Sequence, residues 1–231
     1  MNKYFILIFC AICFSCNNNN QNQRSSNIDE KKKDKVSENE LEEKNESSKV
    51  ILFYGNSLTA GLGVDPDQSF PSVTENILDS LGYDYEIVNA GVSGETTASG
   101  LSRLDWVIEN TEFDVFVLEL GANDGLRGIP VDETYRNLTE IIKKVRKADP
   151  DVKILLTGMM VPPNMGPDYS SAFLAVFPKV AEEQNVEFMP FLLQDVAGID
   201  SLNQDDGIHP NVKGHKITAR NLSKVLTEQV L

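Results

Sequence analysis

Only two histidines occur among the 231 residues, His209 and His215. His209 lies in "QDDGIHPN", just before Pro210 and three residues after Asp206. A carboxylate at that spacing in a turn reaches back to one imidazole nitrogen, fixes the tautomer and stabilises the imidazolium. The other nitrogen is left free to take a proton from a hydroxyl. The hydroxyl to pair with it is Ser57, in "YGNSLTAGLG", where small residues surround a serine at the mouth of an apolar run. A serine hydroxyl is a poor nucleophile until a base removes its proton. Attack on a carbonyl also needs donors for the developing oxyanion, each worth roughly 3 kcal/mol. The backbone N–H of Ser57, the N–H of Gly94 in "SGE" and the side-chain amide of Asn123 in "GAND" are three such donors. The chemistry of this set requires neither a metal nor an organic cofactor. His215 falls in the last helical stretch and reads as structural or solvent-facing.

Taken singly, each residue has a plainer reading. Ser57 suits a helix N-cap after a strand. Asp206 suits a cap or turn, Gly94 a position with φ > 0, and Asn123 an Asx-turn. Their placement together is what argues for a site, and that placement depends on the elements around them.

From Lys49 onward, short apolar runs alternate with helical patterns. The strands are "KVILFYG", "YEIVNAG", "DVFVLELG", "VKILLTG" and "VEFMPF". Between and after them come "PSVTENILDSLG", "TTASGLSRLDWVIEN", "ETYRNLTEIIKKVRKAD", "SSAFLAVFPKVAEEQN" (with Pro178 as a possible kink) and "NVKGHKITARNLSKVLTEQVL". Such alternation predicts β-α-β units and a parallel sheet covered on both faces. Ligands of such sheets bind outside the carboxyl ends of the strands. The loops "GNSLTAG", "NAGVSGET", "GANDGLRG" and "QDDGIHPN" all fall there. One domain, residues 49–231, is the economical reading.

In that order the four motifs resemble the SGNH hydrolases, or GDSL-type esterases, and more narrowly the bacterial acyl-CoA thioesterase/lysophospholipase/arylesterase subgroup. The resemblance covers nearly all of residues 50–231. It implies a three-layer α/β/α sandwich, flavodoxin-like, with a five-stranded parallel sheet in the order 2-1-3-4-5. It also implies Ser57 as nucleophile, Gly94 and Asn123 completing the oxyanion hole with the Ser57 N–H, His209 as base and Asp206 as its partner. Gly125 to Pro130 would act as a mobile loop over an acyl chain. One residue departs from the pattern: Asn56 stands where the family has Asp. Strand alternation should point its side chain away from Ser57, with the amide pinning the turn. The implied activity is hydrolysis of small-molecule carboxylic esters or thioesters through an acyl-enzyme. Two alternatives remain: a carbohydrate O-acetylesterase on the same fold, and a non-catalytic binding lipoprotein.

The N-terminal region reads differently. Lys3 precedes an apolar stretch, Tyr4 to Phe14, too short to cross a hydrocarbon core of roughly 30 Å, so residues 1–16 read as an export signal. All three cysteines lie within it, and "CFSC" resembles a lipoprotein processing site with Cys16 as the lipid attachment point. Residues 17–48 are Asn-rich and then Lys/Glu-rich, too polar to bury a core, and read as a disordered tether spanning roughly 30 Å. The expected setting is an exported, membrane-anchored bacterial lipoprotein. The formal charge of −14 argues against nucleic acid as a ligand. The sequence says nothing of oligomeric state.

Overall fold

The structure, a computed structural model, describes residues 49–231; the expected signal, the tether and Cys16 lie outside the described residues. Five strands form one sheet: β1 (Lys49–Gly55), β2 (Tyr85–Gly91), β3 (Val115–Glu119), β4 (Lys153–Thr157) and β5 (Glu187–Met189). All pairings are parallel and the order is β2-β1-β3-β4-β5, as the resemblance implied. β1 and β3 are central, and Ile51 to Tyr54 and Val115 to Leu118 are wholly buried. That is why both read as unbroken apolar runs rather than alternating ones.

The chain leaves β1 through α1 (Ser57–Ala60) and α2 (Phe70–Ser80), and leaves β2 through α3 (Thr97–Asn110). From β3 it passes through α4 (Ala122–Leu126) and α5 (Val131–Ala148), from β4 through α6 (Pro167–Gln184), and it ends in α7 (Val212–Val225). The first crossover moves outward from β1 to β2 and the next returns past β1 to β3. Right-handed connections running in opposite directions put their helices on opposite faces. Accordingly α2 packs on α7, while α3 packs on α5 and α5 on α6. The reversal occurs between β1 and β3, the switch point where loops diverge and leave a crevice.

Two details differ from the sequence reading. The two short helices α1 and α4 each follow a central strand, where only loops were expected. The last helix ends at Val225 and widens to a π-turn over Leu226–Val230. α6 runs through Pro178, which lies on its exposed face.

Candidate active site

β1 stops at Gly55, and Asn56 caps the short helix that follows: its Oδ1 accepts from Leu58 N at 3.0 Å. Ser57 is thus the first residue of α1, 8% exposed. Its Oγ lies 2.9 Å from His209 Nε2, although 152 residues separate them. His209 Nδ1 lies 2.5 Å from Asp206 Oδ2. The other oxygen of Asp206 accepts from the backbone N–H groups of Ile208 (2.9 Å) and His209 (3.0 Å). Burial alone would raise the Asp206 carboxyl, but the backbone and ring of His209 outweigh it and hold the group down at about 2. An ionised Asp206 accepts only, so Nδ1 carries the imidazole proton and Nε2 faces Ser57 as an acceptor.

Asn123 lies in α4 and its Nδ2 donates to Glu95 O at 2.8 Å, which ties the loop after β3 to the loop after β2. It lines the same cavity as Ser57 and His209. Gly94 stands at φ +83°, a conformation that suits glycine, and its carbonyl accepts from Arg127 Nη2 at 2.9 Å. It is not among the residues lining that cavity. The 125–130 segment is held by Ile129 N to Asp124 O (3.0 Å) and by Tyr169 Oη to Ile129 O (2.8 Å).

The expectation for Asn56 needs correcting. Its amide does pin the turn, but its Oδ1 curls back to 3.4 Å from Ser57 Oγ instead of pointing away. The short α1 begins at Ser57, so strand alternation no longer governs the direction of the preceding side chain. His215 also resolves to one of its two readings. It is buried, its Nδ1 accepts from Phe70 N at 3.1 Å, and its ring stacks on Phe70. Burial, and then the charge of His209, push its pKa down to about 4, so it stays neutral and structural.

Two wholly buried carboxylates were missed. Glu119 ends β3, is 0% exposed, and accepts from Asn56 N (3.0 Å), Asn56 Nδ2 (2.8 Å) and Thr59 Oγ1 (2.8 Å). Burial pushes its carboxyl up to about 7, against the opposing pull of these hydrogen bonds. Asp124, next to Asn123, accepts from Thr97 N (2.8 Å) and Thr97 Oγ1 (2.5 Å) and so holds the start of α3 against α4. The available signal was a charge inside an apolar strand ("LEL") and one beside the amide ("AND"), since buried carboxylates persist only when paired or well hydrogen-bonded.

The cavity beside Ser57 has a volume of about 650 Å³. Beyond Asn56, Ser57, Asn123 and His209 its wall is mostly apolar, with Leu126, Met159, Met160, Val161, Phe191 and Ile208 prominent. The stretch "TGMMVPPNMG" after β4 supplies three of these residues. Among the described residues, no cluster of three or more His, Cys, Asp or Glu is placed to hold a metal ion. Nor is any described helix long and apolar enough to cross a membrane.

Comparison with known proteins agrees with this fold. The family model described as GDSL-like Lipase/Acylhydrolase matches residues 53–217. The chain is 39% identical over 164 residues to esterase TesA of Pseudomonas aeruginosa, covering 71% of this chain and 81% of that protein. It is 35% identical over 185 residues to an arylesterase of Vibrio mimicus, covering 80% and 92% respectively. Among solved structures, the psychrotrophic esterase EstA from Pseudoalteromonas sp., inhibited by monoethylphosphonate, superposes with a TM-score of 0.74 at 34% identity, covering 78% of this chain and 98% of that one.

Proposed function

The chain belongs to the GDSL-like lipase/acylhydrolase family and is a serine esterase that hydrolyses ester bonds, and from that premise we propose that Ser57 is its nucleophile, His209 its general base and Asp206 the partner of the base. The observation that carries this reading is the hydrogen-bonded run Asp206–His209–Ser57 opening on an apolar cavity.

Ser57 Oγ attacks the carbonyl carbon as its proton passes to His209 Nε2, and Asp206 stabilises the imidazolium through Nδ1. The carbonyl oxygen becomes an oxyanion that takes hydrogen bonds from the N–H groups of Ser57 and Gly94 and from the Asn123 amide. The bond to the leaving group breaks as Nε2 returns the proton to the leaving oxygen or sulfur, which leaves an acyl-serine. A water molecule then gives its proton to His209 and attacks the acyl carbon. The acid departs and Ser57 regains its proton.

A wall this apolar suits the acyl side of short-to-medium esters, lysophospholipids included, and a volume of about 650 Å³ falls within the range of small-molecule sites. The protein acts at a membrane, held there through lipidated Cys16 after export; the motif "CFSC" and the polar run behind it support this.

The test is hydrolysis of p-nitrophenyl esters of increasing chain length, beside lysophospholipid and acetylated xylan. KM should fall as the chain lengthens, and Ser57→Ala should lower kcat by several orders of magnitude with the fold intact. Wild-type activity in Ser57→Ala would refute the mechanism. A preference for acetylated xylan would redirect the substrate assignment to carbohydrate esters.

A further inference from the structure

We infer that Glu119 is a positioning residue for Ser57, its carboxylate deciding which end of the Asn56 amide faces the nucleophile. This rests on Ser57 being the nucleophile.

The two oxygens of Glu119 have separate tasks. Oε1 accepts from Asn56 Nδ2 at 2.8 Å. Oε2 accepts from Asn56 N at 3.0 Å and from Thr59 Oγ1 at 2.8 Å. Above about pH 7 the carboxylate is ionised and only accepts, as the three donors around it require, so Asn56 must turn its NH2 group toward Glu119. Its carbonyl oxygen is then forced to the other side, where it accepts from Leu58 N at 3.0 Å and stands 3.4 Å from Ser57 Oγ. The opposite amide orientation sets oxygen against carboxylate and NH2 against the Leu58 N–H. Both of those contacts are like-poled.

This polarity matters at Ser57. Its hydroxyl proton has two acceptors in range, His209 Nε2 at 2.9 Å and Asn56 Oδ1 at 3.4 Å. The shorter contact leads to the base. With the carbonyl end of Asn56 facing it, no amide N–H donates to Oγ and occupies a lone pair that attack requires. A flipped Asn56 would make that unwanted donation. Glu119 therefore acts on the serine through one intermediary, from a strand 62 positions further along the chain, and Thr59 ties the far end of α1 to the same carboxylate.

A merely stabilising Glu119 would lower Tm when replaced, with little effect on kcat in the folded enzyme. A polarity-setting Glu119 predicts more. In Glu119→Gln the new amide cannot satisfy all its neighbours. With its oxygen toward Asn56 Nδ2, its NH2 group meets the Asn56 N–H. With its NH2 group toward the side chain, Asn56 must flip, lose its cap on Leu58 and donate to Ser57. In the double variant Asn56→Asp/Glu119→Gln every contact returns, with polarity reversed only between the two exchanged side chains, while the backbone N–H groups of residues 56 and 58 donate as before. The introduced glutamine donates to the introduced aspartate, whose second oxygen accepts from Leu58 N and faces Ser57.

The experiment measures kcat, KM and Tm for wild type, both single variants and the double variant on p-nitrophenyl acetate, with Ser57→Ala alongside. Expected are a kcat roughly tenfold or more below wild type in Glu119→Gln, a KM within about threefold, and return of kcat to within about threefold of wild type in the double variant. Wild-type kcat in folded Glu119→Gln overturns the inference, whatever its Tm. So does a folded double variant no better than Glu119→Gln. If Glu119→Gln does not fold, the double variant decides alone: near-wild-type kcat supports the inference, and a tenfold loss or failure to fold overturns it. Activity surviving in Ser57→Ala would instead bring down the premise, a result distinguishable from any of these.

Discussion

Replacing Gly91 by alanine should slow catalysis, although Gly91 touches nothing that reacts. Gly91 is the last residue of β2 and pairs with Gly55 at the end of β1. A Cβ there would stand 2.3 Å from Ala60 N, 2.7 Å from Thr59 C and 2.9 Å from Ala60 Cα. Non-bonded carbon contacts settle near 3.5–4.0 Å, so something must move by about 1 Å. The obstacle is backbone, which cannot rotate out of the way as a side chain can. It is the backbone of α1, whose first residue is Ser57. That helix is already tied down, because Thr59 O accepts from Asn89 Nδ2 at 2.8 Å and Thr59 Oγ1 donates to Glu119. The expected cost is about 1–3 kcal/mol of stability from overpacking. Displacement of the serine by a good part of an ångström should lower kcat roughly tenfold to a hundredfold with KM nearly unchanged. The assay is kcat on p-nitrophenyl acetate well below Tm, with melting curves. Gly82→Ala is the control. That site has φ +85° but nothing within 4 Å, so it should lose roughly 1–2 kcal/mol to backbone strain and no kcat. If folded Gly91→Ala turns over at the wild-type rate, β2 does not fix the position of α1, and the account of how the sheet aims Ser57 fails.

Asp206→Ala should cost less kcat than His209→Ala, because the base survives without its partner; equal losses measured side by side would contradict the division of roles. Stability should depend on pH through two buried groups of opposite sign. His215, pushed from 6.5 to about 4, contributes stability that is complete above pH 6.5 and lost as pH falls through 4. Glu119, raised from 4.5 to about 7, contributes stability that is complete below pH 4.5 and lost as pH rises through 7. Each amounts to about 3 kcal/mol, so the two nearly cancel between pH 4.5 and 6.5 in the wild type. Glu119→Gln should uncover the His215 slope, and chemical denaturation at pH 4.5 and 6.5 would show it; a flat profile in the variant contradicts the assignment. Cys16→Ser should abolish lipidation and move the protein to the aqueous phase of a detergent partition. Wild-type protein found wholly in the aqueous phase would remove the anchor.

The strands and the four site loops were legible because their signals are local: apolar runs ended by glycine, and small or polar residues at the strand ends. Asp206 and His209 could be paired from sequence because both lie in one turn. Glu119 and Asp124 were not legible because their partners are remote. Asn56 and Thr59 lie on another strand's exit, and Thr97 opens a different helix. In sequence each is one more acidic side chain among thirty-five. Asn56 was misdirected for a related reason. Its orientation follows from the onset of α1, a helix of four residues with too few positions to show a period.

The Ser57–His209 bond spans 152 residues, while the Asp206–His209 pair spans three. The proposed base and its partner can meet within their own turn, but Ser57, the proposed nucleophile, opens α1 just after the first described strand, and His209 lies in the turn before α7. A nascent chain therefore presents no base to the serine until almost the whole domain has been made, and a C-terminally truncated product lacks the base altogether. Partly folded forms should be silent for the same reason, because tertiary folding and not chain proximity brings the serine and histidine together. Turnover is thus a reporter of completed folding, and recovery of activity during refolding should trail the recovery of helical signal.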